Sequence, residues 1–276
     1  MNHRGSFQIV LDSDDWFAGL ITTLAALRRS WEQDWVGLPA VLDVCQRAIG
    51  LTDLKNTRVQ VINDFASKIA IQIENDPVPQ PRYHNSLHMA DVMVTLTLMM
   101  RMLISHPTPS DWQWIACLLA SATGHDFDHP GGTNRFHSEF ETRSCLAMAR
   151  KVDPSGMLDD DIERIQRLIL NTEVRLVAKH HELVIGKSFD WDLPWCTVLL
   201  NEADILASAT AEFGPSLGDA LAQELKEAGN LAGNTIASAG GRWQFLSSLR
   251  FSSPSALKLE MPYKIQQQLA LLQELH

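Results

Sequence analysis

Apolar residues recur at three- and four-residue spacing over most of this chain, and the pattern predicts helices nearly throughout. Between Asp14 and Trp35, Phe17, Leu20, Ile21, Leu24 and Leu27 form a one-sided stripe. A second helix is predicted from a cap at Thr52 or Asp53 to about Glu74, with Val59, Ile62, Phe65 and Ile69 facing inward. Pro77, Pro79 and Pro81 then break the chain. A helix is predicted from near Asn85 to about Ile104, and another, capped by Ser110, over Trp112 to Thr123. Gly124 opens a loop rich in Gly and Pro. Further helices are predicted over 135–151, 159–171, 173–183 and 194–209, the last with Pro194 in its first turn and Asp192 as cap. The tail from Pro215 to His276 holds three more, broken by Gly, Ser and Pro. No segment alternates as a strand beside a hairpin turn, and there is neither a repeat nor a low-complexity tract. The expectation is an all-α fold, a compact multi-helix bundle in a single domain over 1–276. Within it, a helical layer extends to about residue 76 and a core spans about 80–250, with the prolines as a bend between them.

Composition narrows the partners. The 276 residues suffice for a sizeable core, and 45% apolar with 20% charged residues is ordinary for a soluble globular protein. Lys and Arg total 23 against 33 Asp and Glu, a formal charge of -10 that argues against nucleic acid as a partner. Bound divalent metals would still reverse the field locally. The longest apolar run, Val92 to Ile104, is interrupted by Thr95, Thr97 and Arg101 and is too short and polar to span a bilayer. The opening MNHRGSFQIVLDSDDW has no apolar stretch of the signal-peptide kind. Cys45, Cys117, Cys145 and Cys196 are scattered without CxxC spacing, so they read as free thiols in a reducing compartment. A cytoplasmic protein without nucleic-acid or membrane partners is expected; the sequence leaves its oligomeric state and regulation open.

The histidines carry the chemistry. His84 and His88 stand four apart at the start of a predicted helix and share a face; alone, such a pair is more often incidental than a metal site. The run from Gly124 to Gly132 is denser, placing His125, Asp126, Asp128 and His129 within five positions at a helix end. Imidazole with carboxylate suits zinc, manganese, iron or magnesium better than a soft-metal site. Adjacent His and Asp cannot share a helix face, but they can converge where the helix unwinds, which Gly124 and Pro130 permit. Asp204 lies on a strongly apolar helix, where an unpaired carboxylate is costly, so it requires a metal or a salt bridge. Its neighbour Glu202 reads as a solvated face residue.

Three motifs resemble the catalytic domain of class I 3′,5′-cyclic nucleotide phosphodiesterases, within the HD-domain metal phosphohydrolases. They are Tyr83-His84-Asn85-x-x-His88-x-Ala90-Asp91-Val92, His125-Asp126-x-Asp128-His129-Pro130-Gly131-x-x-Asn134-x-Phe136, and Ala203-Asp204, and the likeness covers about residues 80 to 250. The resemblance implies that His88, His125, Asp126 and Asp204 hold a first metal, typically zinc. It implies that Asp126 also bridges to a second, more hydrated ion, typically magnesium or manganese. His84 matches the family's general acid, His129 a histidine beside the phosphate, and Asp128 a carboxylate supporting the metal ligands from behind. Such a set fits diester cleavage: paired metals neutralise the phosphoryl oxygens and acidify a bridging water, and a spare histidine protonates the leaving oxygen.

The departures fall on nucleotide recognition. The family usually has His two residues before the Ala-Asp pair and Asn three residues after the Asp; here Asn201 and Ala207 stand there. A family stretch with Leu-Glu and paired His has no counterpart, residues 150–161 being a short polar link. Around GGRWQFLSSLRF, Tyr83, Gln244 and Phe245 are the candidate substrate contacts, although Trp243 and Phe245 read equally well as core. If Phe245 clamps the base, Arg242 occupies the position of the family's base-reading glutamine. The expected function is metal-dependent hydrolysis of cAMP and/or cGMP to the nucleoside 5′-monophosphate. The alternatives are another HD-type phosphohydrolase acting on a nucleotide or small metabolite, and a non-catalytic metal-binding sensor domain. His180-His181-Glu182 echoes cyclic-dinucleotide HD hydrolases, whose Gly-Tyr-Pro signature this chain lacks.

Overall fold

Three helices are apolar around nearly their whole circumference, and such helices belong in the middle of a fold. They are α4 (Ser86–Arg101), α5 (Pro109–Gly124) and α9 (Leu193–Ala209), and in the computed structural model α4 packs against both α5 and α9. The structure describes residues 7–11 and 14–274. Residues 1–6, 12 and 13 of the opening segment read for a leader, and the last two residues of the tail, lie outside the described set. Among the described residues there are thirteen α-helices and no strand. The other ten are α1 (Trp16–Gln33), α2 (Leu38–Ala48), α3 (Thr57–Glu74), α6 (Glu139–Lys151), α7 (Asp159–Leu170), α8 (Val177–Val184), α10 (Gly214–Glu227), α11 (Ala239–Ser248), α12 (Pro254–Lys258) and α13 (Met261–Gln273). No described helix is long and apolar enough to cross a membrane.

The first three helices cover the central ones: α1 and α2 lie on α4, and α3 lies along α5. On the opposite flank α7 and α8 pack against α9, and α6 bridges α5 and α7. One continuous apolar core runs from Phe7 through the three central helices to Met261. All four cysteines are buried free thiols.

Several boundaries differ from the sequence reading, each for a local reason. α2 was not anticipated; Leu38, Val41, Leu42 and Cys45 give it a buried stripe two turns long. α3 is capped by Asn56, whose side chain accepts from the Arg58 and Val59 amides, and not by Thr52 or Asp53. α5 begins at Pro109 because Thr108 and Asp111 form a reciprocal capping box, displacing Ser110 from that role. The segment predicted as 173–183 divides into a 3-10 turn over Val174–Leu176 and then α8. Among its described residues the tail contains four α-helices, not three. Glu202, read as solvated, is fully buried and accepts from the Ser253 amide at 2.9 Å and from the Ser253 hydroxyl, fastening the chain before α12 to α9.

Candidate metal centre and cleft

Asn85 starts the site. Its side chain accepts from the Leu87 and His88 amides, so α4 begins with His88 in its first turn, aimed into the core. His125 and Asp126 follow directly on the last residue of α5. Gly124 remains helical and does not unwind the chain as expected. Its lack of a side chain serves close packing, since a Cβ there would lie 2.8 Å from Met148 Sδ and 3.2 Å from Ile69 Cγ2. The chain reverses later, where Asp128 (φ 63°), Gly131 (φ 84°) and Gly132 (φ 91°) adopt left-handed conformations. Asp204 comes from the middle of α9.

These elements bring His88, His125, Asp126 and Asp204 together. His88 Nε2 lies 3.0 Å from Asp204 Oδ1 and 3.3 Å from Asp126 Oδ2, and 3.4 Å from His125 Nε2. His125 Nε2 lies 3.3 Å from Asp126 Oδ2 and 3.4 Å from Asp204 Oδ1. The nearest donor atoms of His88, His125 and Asp204 lie 3.0–3.4 Å apart, close to the roughly 3.3–3.4 Å between ligands bonded tetrahedrally at about 2.0–2.1 Å, and Asp126 Oδ2 lies 3.3 Å from both rings beside that set. His125 Nδ1 donates to the Ala122 carbonyl at 2.9 Å, which leaves its Nε2 lone pair for a metal. Burial opposes charge on both rings. Bonds to Asp126 and Asp204 and their negative charge outweigh it, raising His88 to about 9 and His125 well above the ordinary imidazole value. For Asp126 and Asp204, burial pushes upward but the two histidines hold both carboxyls well below the usual range. The two carboxylates favour positive charge at the centre of the pocket, which a divalent cation would supply.

A second cluster adjoins the first. His84 Nδ1 bonds to Glu224 Oε1 at 2.6 Å, and the His84 and His129 rings stack with centroids 3.9 Å apart. The Gly131 amide donates to His129 Nδ1 at 3.1 Å, which puts the proton of the neutral ring on Nε2. Burial and the neighbouring charge of His84 lower His129 to about 4, so it is uncharged at neutral pH. Glu224, on α10, also accepts from the amides of Tyr83, His84 and Gly132 at 2.8, 3.0 and 3.2 Å. The sequence reading missed it. Its signal was a carboxylate inside the apolar stripe of Leu217, Leu221 and Leu225.

Both clusters open into one cleft of about 470 Å³. One end is polar: Asn134 bridges Glu141 and Glu173 through its amide, with Thr172 and Arg175 beside them. The other end is apolar, walled by Ile205, Leu221, Ile236 and Phe245. Tyr83 lines the cleft, its hydroxyl bonded to Ser208 Oγ at 2.8 Å. Two expected contacts fall elsewhere. Gln244 points to solvent on the exposed side of α11 and lines no part of the cleft, one residue of a helix turning it roughly 100° away from Phe245. Asp128 pairs with Arg143 of α6 at 3.0 Å, bracing the loop and not joining either cluster. His180 and His181 are buried on α8, the latter bonded to Ser252, and take no part in the cleft.

Residues 83–151 match the model of the family described as 3′5′-cyclic nucleotide phosphodiesterase. No curated protein matches. Among solved structures, LmjPDEB1 in complex with IBMX is 16% identical, with a TM-score of 0.65 over 100% of this chain and 95% of that one. The phosphodiesterase domain of the RhoPDE fusion protein from the choanoflagellate Salpingoeca rosetta is 16% identical, with a TM-score of 0.61 over 85% of this chain and 90% of that one. Yeast caPDE2 is 15% identical, with a TM-score of 0.56 over 94% and 73%. At these identities the likeness is one of fold.

Proposed function

We propose that this chain, a class I cyclic nucleotide phosphodiesterase domain by its matched segment and its fold, hydrolyses cAMP and/or cGMP to the nucleoside 5′-monophosphate with His84 as general acid. The observation that carries this reading is the His84–Glu224 pair standing beside four converging metal-competent side chains. A metal-binding domain with no reaction to run has no use for an unligated histidine oriented by a carboxylate.

His88, His125, Asp126 and Asp204 would hold the first ion, zinc by the family resemblance, and Asp126 would reach a second, magnesium or manganese by the same resemblance. Divalent ions bound there neutralise phosphoryl oxygens and acidify a water. The rest is the work of side chains. Glu224 fixes His84 through Nδ1, leaving Nε2 to deliver a proton to the departing 3′ oxygen. His129, uncharged and with its proton on Nε2, offers a hydrogen bond to a phosphoryl oxygen without competing for the proton on its stacked neighbour. The apolar end of the cleft, with Phe245 in its wall, suits a base, and Tyr83 closes the floor between base and phosphate. That a protein of the same fold binds IBMX supports a small-molecule ligand here.

The test is hydrolysis of cAMP, cGMP and bis(p-nitrophenyl) phosphate by protein of known metal content, with Asp126→Ala as control. Formation of 5′-nucleotide that vanishes in the control is expected. Cleavage of the artificial diester alone would move the reading to another HD-type phosphohydrolase.

A further inference from the structure

The cleft wall that carries Phe245 is loosely seated. α11 buries a single residue, Leu246, and its main helix neighbour is α13, whose other main neighbour is α12. Between this wall and the helices α9 and α10 lies a cavity of about 60 Å³, lined among others by Ile205, Leu217, Leu221 and Phe245. Apolar packing alone therefore does not fix how far the wall stands from the helix that carries Asp204. Polar bonds at the end of that helix do. Arg242 stands one turn before Phe245 on the same face of α11, its guanidinium carbon 5.6 Å from the centre of that ring. Nη1 donates to the Ser208 carbonyl, and Nη2 donates to the Thr210 carbonyl and to Gln268 Oε1, both at 2.8 Å. Gln268, on α13, donates in turn from Nε2 to the Ala209 carbonyl at 2.8 Å.

Three successive carbonyls where α9 ends are thus taken by two side chains that also hold each other. The last carbonyls of a helix lack partners within it and carry partial negative charge, so a guanidinium suits this place. All of its partners are neutral, and no carboxylate draws it elsewhere among the described residues. The fold keeps the position open: a Cβ on Gly214, the first residue of α10, would lie 2.3 Å from both Nη1 and Nη2. We propose that Arg242 is a positioning residue, which latches the α11 wall to the end of α9 and so sets the width of the cleft without touching the substrate. This rests on the reading of the cleft as the substrate site. Both Nη2 hydrogens are spent on the protein, which is what a latch requires. His84 and Glu224, which would deliver the proton, are fastened to each other and not to α11. Loosening the wall should therefore weaken substrate binding more than it slows the reaction of what is bound.

Two variants of the metal-loaded protein test the latch. Arg242→Met keeps the aliphatic stem and removes the donors, whereas Gly214→Ala displaces the guanidinium without altering it. Each is expected to raise KM for the cyclic nucleotide about tenfold while kcat stays within about threefold, the form taken by lost binding common to ground and transition states. Arg242→Lys, which returns a donating cation to the end of α9, should recover part of that loss; a side chain that only fills space would show no such recovery. Hydrogen exchange reads the latch independently of activity. The amides of α11 should exchange faster in both variants, with those of α4 and α5 unchanged. Gly214→Ala decides the matter should Arg242→Met not fold. A fall in kcat at constant KM, or α11 exchange equal to that of the unaltered protein, overturns the proposal while leaving the phosphodiesterase reading intact. If no cyclic nucleotide is cleaved, that reading fails, and faster exchange confined to α11 still upholds Arg242 as the latch of the wall.

Discussion

Glu224 receives a donor on every side: the His84 ring and three backbone amides share its two oxygens. Replacing one oxygen with NH2 sets a donor against donors and releases the His84 ring. Glu224→Gln is therefore expected to lower kcat for cyclic nucleotides by roughly 10²–10³ with little change in KM, since general-acid contributions have that size. Cleavage of bis(p-nitrophenyl) phosphate, whose leaving group departs without protonation, should fall far less; equal losses on both substrates would argue against a proton-delivery role. A second residue-scale case is Gly124. Gly124→Ala forces Met148 and Ile69 apart between α5, α6 and α3, and a loss of about 1–3 kcal/mol is expected in urea unfolding, with an unchanged midpoint counting against tight packing there. These two residues mark what the sequence exposed and what it concealed. His125, Asp126 and His129 announce themselves because they are contiguous and chemically dense. Glu141, Glu224 and Glu173 stand singly, 15, 20 and 31 residues from the nearest candidate metal ligand and on three different elements, and only folding gives them a common cleft. Gly124 was visible as a glycine, yet its purpose depends on a methionine 24 positions away.

Helix positions were legible wherever an apolar stripe was long, as in α3, α4 and α9, because burial of a face dominates over local preference. Starts were less so. Ser110 and Thr108 are equally good caps in isolation, and the choice falls to Thr108 because Asp111 can return the bond and Pro109 fits the first turn. α2 escaped because its stripe covers only two turns and lies behind Gly37, which adopts φ 86°. α8 carries the prediction at this scale. His181 is buried, bonded through Nδ1 to Ser252 Oγ at 2.8 Å, with no partner for Nε2. Burial first, then the charges of His180 and Arg250, lower it to about 4. The folded state thus binds the proton less readily than the unfolded chain, whose histidine titrates near 6.5. Its stability contribution is complete above 6.5 and is lost as pH falls towards 4, on the order of 3 kcal/mol for the full shift. Thermal unfolding between pH 7 and pH 4.5 should show this loss, and His181→Asn should reduce its slope; identical slopes would mean that the ring is already solvated.

At the scale of the whole molecule, the helices before the proline bend are tied to the core that carries the candidate metal site by charge as well as by packing. Arg28 of α1 pairs with Asp91, one turn beyond His88 on α4, and lies over the Phe213 ring at 5.0 Å, just ahead of α10. Arg58 of α3 forks onto Asp161 of α7 with bonds of 2.7 and 2.8 Å. Both aspartates are about 1% exposed. Asp91 shows what burial costs: desolvation lifts it to about 6 even against the pull of Arg28. Removing Arg28 strands the buried Asp91 carboxylate, and breaking such a pair typically costs about 3–5 kcal/mol, a large part of a domain's total stability, whereas Asp161 keeps Arg164 at 3.6 Å when Arg58 is removed. A fragment beginning at residue 80 would lose both arginines at once and bare the faces of α4 and α5 that α2 and α3 cover. It is expected to be unfolded or aggregated and without bound metal, whereas a separately folding N-terminal layer would leave a soluble, metal-binding remainder. Arg28→Met separates charge from packing in the full chain, because the aliphatic stem keeps its contacts while the cation goes. Its denaturation midpoint should fall sharply, and Asp91→Asn in the same chain should recover much of the loss, since an amide can be buried where a lone carboxylate cannot. If the double variant is no more stable than Arg28→Met alone, the tie between the layers is packing, and the ion pair contributes only to how α4 is registered beneath α1.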